Sequence, residues 1–335
     1  MIRNYLLLVT SIVLLTGCIG KSENEVVVYT ALDKEFSETI LDDFAAQSEV
    51  DVLPKYDKES NKTVGLAEEI INQQQRQRAD VFWNNEILHT IRLKKLGLLE
   101  PYDCQEAENY PASFVSPDKD WFGFAARARV FIVNTEILPD EADWPTSIDD
   151  LTDPVWKDRC SIARPLFGTS STHAAVMFSL LGEEGAKTFY QSVSENAAVE
   201  SGNKQVAINV SRGRYAFGLT DTDDAIIEIE KGNPVAIVFP DQGEDGRGTL
   251  LIPNTIAIIK NGPNTENAQQ LIDYLLQGDT ERALAACPSA QIPLRNDVSE
   301  TSRVAPDDLK VMEVDFEDAA DQWEIAKQFL VELFP

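Results

Sequence analysis

The first eighteen residues constrain this 335-residue chain more strongly than any other stretch of it. Arg3 supplies a positive charge, an almost purely apolar run extends from Tyr5 to Leu15, and small residues then lead to Cys18. The run is too short and wrongly flanked to span a bilayer, so it is typical of a secretory signal rather than of a membrane helix. We therefore expect the rest of the chain to fold outside the cytoplasm.

The end of this signal resembles the lipobox of bacterial lipoproteins. That resemblance implies cleavage before Cys18, whose thiol and new amino group then carry lipid. It implies a signal peptide over residues 1–17, a tether over residues 18–25, and a periplasmic or extracytoplasmic protein held to the membrane by its lipid anchor alone. Two alternatives stay open: an ordinary cleaved signal with an incidental cysteine, and a short membrane anchor.

Length and charge narrow the possible classes of protein. Removing 17 residues from 335 leaves 318, which is enough for two cores of ordinary size. The chain carries 56 acidic and 29 basic residues, for a net charge of −27. Such a surface repels nucleic acid and anionic lipid, so we expect neither as a partner.

Cysteine use adds little. Besides Cys18 the chain has Cys104, Cys160 and Cys287, so at most one intrachain disulfide forms among these three. No two cysteines have the CxxC spacing of a soft-metal site.

Strands and helices alternate along most of the chain. The first predicted segments, alternately strand and helix, cover residues 26–29, 36–44, 50–53, 64–75, 79–83 and 87–96. Further strands are predicted at 130–133, 160–163, 216–219 and 235–239, and helices from about residue 171 and over 185–194, 206–210 and 225–230. This alternation is typical of parallel sheets covered by helices on both faces. The last third is mainly helical, with an apolar stripe that is expected to dock on the core, formed by Trp323, Ala326, Leu330 and Leu333.

The predicted fold class is α/β, with two lobes built on two parallel-rich sheets. Extended segments at 123–134 and 250–259 are expected to be the two strands that cross between the lobes and act as a hinge. The N-terminal lobe then comprises residues 26–125 plus 253–335, and the second lobe residues 126–252.

A set of short motifs follows in a fixed order along the chain. They are Val28-Tyr29-Thr30, Ala79–Glu86, Gly97–Tyr102, Ala126–Val130, Pro165 with Gly168-Thr169, Gly213 with Ala216–Leu219, Ile252–Asn254 and Gln291–Leu294. Together they resemble the extracellular solute-binding proteins of ABC importers, periplasmic binding protein type II, and most of all the ferric-iron-binding group. The resemblance implies a monomeric, non-enzymatic receptor whose lobes close on a solute and deliver it to an ABC permease and its ATPase.

The resemblance also points to candidate ligand residues. Ferric-binding relatives commonly hold iron through a histidine after the first strand, a glutamate after the ADVF-like strand, and two adjacent tyrosines. The matching positions here are Asp33, Asn85 with Glu86 beside it, and Asp223-Asp224. The tyrosine pair is therefore missing, which argues against iron ligation by phenolate.

Elementary chemistry supports an acid-rich site. In open α/β sheets ligands sit outside the carboxyl ends of strands, where these residues and Asp221 all fall. Oxygen-only ligands suit a hard cation such as Fe³⁺. The cation candidates are thus Asp33, Asn85, Glu86, Asp221, Asp223 and Asp224. For the acids, helix capping or simple surface exposure is the competing interpretation.

A second group of residues is suited to an anion. Thr169, Ser170 and Ser171 offer hydroxyls and N–H groups at a predicted helix start. Arg127 and Arg129 lie two apart on a predicted strand, so they share a face and both are expected to reach the cleft. The alternatives are a simple cap for the first group and an interlobe salt bridge for the arginines.

Several function classes lack their motifs. No P-loop spacing and no GxSxG elbow exist, and neither histidine has an evident nucleophile partner. His89 is expected on a helix surface, and His173 near the ligand at most. The sequence therefore predicts a receptor with no catalytic cofactor that binds Fe³⁺ or a similar hard cation, with or without a synergistic anion. An aminophosphonate or phosphorylated-sugar receptor is the alternative, and a secreted metal-dependent hydrolase a weaker one.

Overall fold

The computed structural model describes residues 24–57, 64–298 and 302–335. The predicted signal peptide, Cys18 and most of the tether lie outside the described residues. Within the described ranges no helix is both long and apolar enough to cross a membrane. Cys104, Cys160 and Cys287 are free thiols there.

The first part of the described chain alternates strand and helix, as the sequence predicts. Its elements are β1 (Glu25–Thr30), α1 (Lys34–Ser48), β2 (Asp51–Tyr56), α2 (Val64–Asn72), β3 (Val81–Asn84), α3 (Leu88–Lys95) and β4 (Leu99–Glu100). Helix α1 buries Phe36, Ile40 and Phe44 because their spacing places them on one face. β3 is buried throughout, as expected for a strand covered on both faces.

The middle and end of the chain continue this alternation. The elements are β5 (Phe122–Asn134), β6 (Cys160–Ala163), α4 (Gly168–Asn196), β7 (Ala197–Glu200), α5 (Asn203–Ser211), β8 (Phe217–Asp221), α6 (Thr222–Glu230), β9 (Val235–Val238), β10 (Leu251–Ile259), α7 (Thr265–Leu275), α8 (Gly278–Ala286) and α9 (Phe316–Leu333). The two helices predicted around 171–194 are continuous in α4 except for a kink at Gly182, where φ is +67°. Strand β7 was missed by the sequence prediction.

The strands form one path with the order β2-β1-β3-β10-β5-β8-β6-β7, while β4 pairs with β10 and β9 with β5. Pairing is parallel between β1 and its neighbours β2 and β3, and between β6 and its neighbours β7 and β8. Every pair that involves β5 or β10 is antiparallel. Each half of the molecule thus has a parallel group of strands, and antiparallel strands join the two.

Strand β5 belongs to both halves. Its residues from Phe122 to Ala128 pair with β10, and those from Arg129 to Val133 pair with β8. All thirteen of its residues are buried. The pairing of its neighbour β10 with β5 shifts register between Pro253 and Asn254. The crossing strands therefore lie where they were expected, whereas the exact lobe boundaries stay predictions.

A group of buried hydrogen bonds fixes the backbone of the two crossing strands around Ala125. Ala125 has a φ of +42°, a strained value for an alanine. Its carbonyl accepts a hydrogen bond from Asn254 Nδ2, which also donates to Gln291 Oε1 at 2.6 Å. The N–H groups of Ala125 and Leu294 both donate to Glu281 Oε1 at 3.2 Å. Residues of α8 and the segment after it thus fix the backbone where the two lobes meet.

The terminal helix α9 contacts both halves. Lys94 of α3 pairs with Glu317 at 2.8 Å, while Phe329 packs its ring 6.2 Å from that of Phe178 in α4. The predicted docking stripe is confirmed, since Trp323, Ala326 and Leu330 are buried and Leu333 is partly buried. The prediction assigned this helix to the N-terminal lobe alone; its contacts fall on both lobes.

Glu281 makes the stability of the hinge depend on pH. Burial raises the pKa of this carboxyl from 4.5 to about 7, against the lowering effect of the two backbone donors and of Tyr110 and Arg295. The folded chain therefore holds this proton more tightly than the unfolded chain, and Glu281 reduces the free energy of unfolding as pH rises from about 4.5 to 7. The expected loss is about 3 kcal/mol, complete above pH 7. Glu281→Gln keeps an acceptor for both N–H groups and removes the titration.

We expect Glu281→Gln to gain stability over the wild type progressively across that pH window, as measured by urea unfolding at pH 4.5, 6 and 8. The exposed Glu195→Gln in α4 is the control and should follow the wild type. Parallel pH profiles for wild type and Glu281→Gln would contradict this role of Glu281.

Candidate functional site

A cleft of about 1020 Å³ opens between the two lobes. The first lobe contributes Asp33, Glu35 and Asn85, which follow β1 and β3. The second lobe contributes the starts of α4, α5 and α6, and Arg127 of β5 also reaches it. These segments follow the carboxyl ends of parallel strands, so the cleft lies where the sequence predicted a ligand site.

Close packing in the second lobe brings these helix starts together. A Cβ on Gly218 of β8 would lie 2.5 Å from Val206 Cγ1 and 2.7 Å from Ser161 Oγ. Only glycine leaves room here for α5 to pack this close to the sheet. The start of α5, with Asn203, is thereby held beside Asp221 at the end of β8.

The floor of the cleft is a buried ion pair. Arg129 Nη1 donates to Asp221 Oδ1 at 2.5 Å, and each residue is only 2% exposed. Thr169 Oγ1 and Asn203 Nδ2 donate to the other oxygen of Asp221 at 2.5 and 2.8 Å. Burial raises the pKa of Asp221, but Arg129 and Arg127 outweigh burial and the pKa is lowered. Asp221 is thus a neutralised anion that ties together the starts of α4, α5 and α6.

Two further carboxylates lie at the cleft surface beside this floor. Asp223 and Asp224, in the first turn of α6, are half-buried and line the cleft. Together with Asp221 they offer carboxylate oxygens that all lie within 4.8 Å of one another. This spacing is compatible with a hard cation held by oxygen ligands. Asp33 lines the opposite side of the cleft from the first lobe.

Glu86 occupies a different place from the other predicted ligands. It is fully buried, and its carboxylate accepts hydrogen bonds from the N–H groups of Leu88 and His89 at the start of α3. It also accepts one from Thr172 Oγ1 of the second lobe at 2.7 Å. Glu86 is not among the described residues that line the cleft. The capping interpretation fits these contacts, and the carboxylate also links the two lobes.

Its neighbour Asn85 does line the cleft. The side-chain Oδ1 of Asn85 is buried and has no hydrogen-bond partner in the described part of the chain. A buried acceptor without a donor is costly, so this atom is suited to a ligand group or a bound cation.

The two arginines of β5 have different environments although they share a face. Arg127 lines the cleft, donates to the Asn85 carbonyl across the lobes, and places Nη1 3.4 Å from Asp223 Oδ2. Arg129 lies below the cleft surface, and its side-chain partners all belong to the second lobe. Only Arg127 meets the expectation of an arginine that lines the cleft.

The three hydroxyl-bearing residues at the start of α4 also differ in their environments. Thr169 and Ser170 line the cleft, with Thr169 bonded to Asp221 and Ser170 Oγ donating to Asn203 Oδ1 at 3.1 Å. Ser171 Oγ instead donates to the Gly168 carbonyl at 2.7 Å within the helix. The first backbone N–H groups of α4 remain the anion-binding feature of this turn.

Neither histidine lines the cleft. His89 was expected on a surface, but it is 2% exposed, and burial lowers its pKa. The prediction was wrong because α9 packs against α3. His173 accepts a hydrogen bond from Arg129 Nε at 3.4 Å, and burial with the nearby Arg129 charge lowers its pKa to about 3. Both imidazoles are therefore neutral.

Sequence reasoning missed a group of cleft residues that surround β6 and β7. They are Arg164, Phe167, Asn203 and Lys204. The signal that would have found them is β7 itself, because the loop after a parallel strand belongs to the same sheet edge as the predicted sites. β7 is short and only partly buried, so its apolar pattern is weak.

The fold and this cleft define a two-lobed binding protein. Residues 89–320 match the family of bacterial extracellular solute-binding proteins, and the chain belongs to that family. Members are binding proteins rather than enzymes, and those of ABC import systems act outside the cytoplasmic membrane and deliver their ligand to a permease.

Particular relatives agree with this assignment. The chain is 29% identical over 232 residues to Iron uptake protein A1 of Synechocystis sp., and the aligned residues cover 66% of this chain and 63% of that protein. It is 25% identical over 299 residues to the Major ferric iron-binding protein of Neisseria meningitidis, 84% of each.

Solved structures show the same fold. Iron-bound HitA from Pseudomonas aeruginosa superposes with a TM-score of 0.82 at 22% identity, covering 93% of this chain and 99% of that one. AfuA from Actinobacillus pleuropneumoniae, with exogenous fructose-6-phosphate bound, gives a TM-score of 0.78 at 24% identity over 92% and 98%. The predicted two-lobed periplasmic binding protein fold is confirmed.

The buried Arg129–Asp221 pair should be detectable by a double-mutant cycle. Arg129→Met leaves an uncompensated carboxylate in the interior, so we expect it to lower the free energy of unfolding by about 3–5 kcal/mol in urea titrations. Adding Asp221→Asn should recover more than half of that loss.

The surface pair of Lys187 and Glu183, 2.5 Å apart in α4, serves as the control. Lys187→Met should cost less than about 1 kcal/mol, because exposed ion pairs are weak. Strictly additive losses in the Arg129 and Asp221 variants would contradict direct coupling between the two residues.

Proposed function

We propose that this protein is the lipid-anchored receptor of an ABC importer and captures a ferric ion or a similar hard cation together with an anion. The observation that carries the proposal is the pair of half-buried carboxylates Asp223 and Asp224, which line a cleft between two lobes and each offer an oxygen within 4.8 Å of the other and of buried Asp221. The names of the relatives, which bind ferric iron, support the same cargo.

The cation is held from both sides of the cleft. Asp223 and Asp224 supply oxygen ligands from the second lobe, and Asp33 and Asn85 Oδ1 supply them from the first. Hard trivalent and divalent cations prefer such ligands. Because contacts to both lobes are complete only when the cleft is closed, cation binding stabilises the closed state, the form recognised by the permease.

The anion completes the coordination from the helix starts. The first N–H groups of α4, α5 and α6 converge on the second-lobe side of the cleft, where the helix dipoles favour negative charge. Arg127 adds a guanidinium at the same surface. An oxyanion between these groups and the cation neutralises both.

No tyrosine is found among the described residues that line the cleft. Tyr215 precedes β8, at the other end of that strand from Asp223-Asp224, and it is buried and donates to Glu200 at 2.9 Å. We therefore propose carboxylate rather than phenolate ligation. The ferric complex should lack the visible charge-transfer band of ferric phenolates, and a coloured complex with that band would contradict the assignment.

Metal binding itself is tested by elemental analysis and native mass spectrometry of protein incubated with a ferric chelate. The wild type should hold one iron per chain and show a raised melting temperature. The Asp223→Asn/Asp224→Asn double variant should bind more than about 100-fold more weakly, beyond the loss typical of residues that only orient a ligand.

Asp307→Asn/Asp308→Asn is the matched control, because it neutralises another adjacent aspartate pair that is exposed and outside the cleft. It should bind like the wild type. Wild-type protein that takes up no metal and shows no change in melting temperature would overturn the cation proposal.

A second candidate ligand is a phosphorylated sugar or an aminophosphonate. The same helix starts suit a phosphate or phosphonate group, and the same acids suit hydroxyl or ammonium groups. The likeness to AfuA, solved with fructose-6-phosphate, favours this alternative. Saturable binding of such a compound in buffer containing a metal chelator would select it over the ferric proposal.

Cys18 determines where the receptor is held. We expect a variant whose residues 1–18 are replaced by an ordinary cleaved secretory signal to carry no lipid and to move from the membrane fraction to the soluble extracytoplasmic fraction, because a polar tether without acyl chains does not hold a protein on a bilayer. Cell fractionation and the intact mass of the wild type test this. An unmodified N-terminus beginning elsewhere than Cys18 would support the ordinary-signal alternative.

A further inference from the structure

Arg127 lies among the acids of the cleft as their cationic partner. The residue is only 5% exposed, and its Nη1 is 3.4 Å from Asp223 Oδ2. Burial alone would lower the pKa of Arg127, but the carboxylates of Asp223, Asp221 and Asp33 outweigh burial and raise it. Since Asp33 belongs to the first lobe and the other two acids to the second, one guanidinium compensates acids from both lobes.

The backbone of the first lobe holds this guanidinium inside the cleft. Its Nη2 donates to the Asn85 carbonyl, whereas its Nε is buried without a hydrogen-bond partner among the described residues. A buried N–H group that lacks an acceptor is costly. If Arg127 also lost its contact to Asp223, the anchored guanidinium would need a new acceptor within the cleft.

The charges that line the cleft are nearly balanced. The charged lining residues are five acids and three cations: Asp33, Glu35, Asp221, Asp223, Asp224, Arg127, Arg164 and Lys204. Arg129 compensates Asp221 from below, so four acids face three cations. The whole chain, by contrast, has 56 acidic and 29 basic residues. A trivalent cation that entered without an anion would therefore leave excess positive charge in the cleft.

A cation on Asp223 would lie close to the guanidinium. Oxygen ligands lie about 2.0–2.6 Å from a hard cation, so a cation on Asp223 Oδ2 would be within about 6 Å of Arg127 Nη1. The two side chains are only 6% and 14% exposed, so solvent and salt screen the repulsion weakly. Arg127 and an entering cation therefore compete for the same carboxylate.

We infer that Arg127 is the built-in counter-ion of the cleft carboxylates: its guanidinium neutralises Asp223 until a cation binds, and cation binding breaks that ion pair. The released guanidinium then requires an anion, so Arg127 makes cation affinity depend on an anion that binds at the same time. This inference rests on the proposed function in taking these carboxylates as the cation site. It adds that the arginine, and not the carboxylates alone, sets the charge of the cargo that the cleft accepts.

The test uses a cation that can be supplied with or without an oxyanion. Tb³⁺ added as the chloride is a hard trivalent cation whose luminescence reports binding, and sodium sulfate supplies the oxyanion. Arg127→Gln removes the charge, and Arg127→Met is the second variant; circular dichroism identifies which of them is folded. The matched control is Arg164→Gln, which removes the same charge from an exposed position in the same cleft.

We expect the wild type to bind Tb³⁺ more than about tenfold more tightly with sulfate than without it. By reciprocity, Tb³⁺ should tighten sulfate binding by the same factor, which calorimetry measures. Arg127→Gln should bind Tb³⁺ alone at least about tenfold more tightly than the wild type does, and sulfate should change that affinity by less than about threefold. Arg164→Gln should keep the sulfate dependence of the wild type within about threefold.

A second readout needs no bound cargo. Without metal, Arg127→Gln leaves Asp223 without its counter-ion, so its melting temperature should fall below those of the wild type and Arg164→Gln. Adding Tb³⁺ chloride should then raise the melting temperature of Arg127→Gln by more than it raises that of the wild type, because the cation replaces the missing guanidinium.

The outcomes separate the inference from the proposed function. If the wild type binds Tb³⁺ and the folded Arg127 variant binds it no more tightly, the inference fails and the cation proposal stands. If the variant binds Tb³⁺ and the wild type does not, with or without sulfate, the inference stands and the cation proposal fails. If neither protein binds it, both fail. Equal gains in Arg127→Gln and Arg164→Gln overturn the inference, since they would reflect overall charge alone.

Discussion

The arrangement of the cleft depends on one buried ion pair. Arg129 and Asp221 lie 2.5 Å apart and are almost fully buried, so each would be costly in the interior without the other. The second oxygen of Asp221 also binds Thr169 and Asn203, which begin α4 and the neighbouring α5. Three helix starts are thereby held on one side of the cleft. Because the charges of Arg129 and Asp221 compensate each other, this floor adds little net charge to the cavity that the other carboxylates and cations line.

The hinge depends on backbone pairing and backbone hydrogen bonds rather than on an ion pair. β5 pairs with one lobe over its first half and with the other over its second half, and the bend between them is held by backbone hydrogen bonds to Glu281. Side-chain contacts also cross between the lobes, from Glu86 to Thr172 and from Arg127 to the Asn85 carbonyl. These hydrogen bonds hold the two lobes together in the arrangement that the structure shows, and a ligand that contacted both lobes would add to them. Arg127 takes part both in this contact and in the lining of the cleft.

The sequence predicted which segments meet at the cleft, but it could not predict the role of each charged residue there. Asp33, Asn85, Thr169 and Asp221 each follow a predicted strand, and the structure brings all four to one cavity because parallel strands share a carboxyl edge. Which acid caps a helix, which is neutralised and which lines the cleft depends on partners far away in the chain. Arg129 and its partner are 92 residues apart, and Glu86 and Thr172 are 86 apart. His89 was misplaced for the same reason, since the helix that covers it comes at the end of the chain.

The sequence by itself determined the class of fold, indicated secretion and predicted which strand ends meet at the cleft. The charged start and short apolar run indicate secretion, and the alternation of apolar segments with the order of short motifs indicates a two-lobed α/β binding protein. These features are local, because they depend on neighbouring residues and on periodicity. Only the tertiary structure decided that Arg129 lies below the cleft surface, whereas Arg127, Arg164 and Lys204 line the cleft. Electrostatic and hydrogen-bond energies depend on distances in space, and folding sets those distances between segments that the sequence keeps far apart.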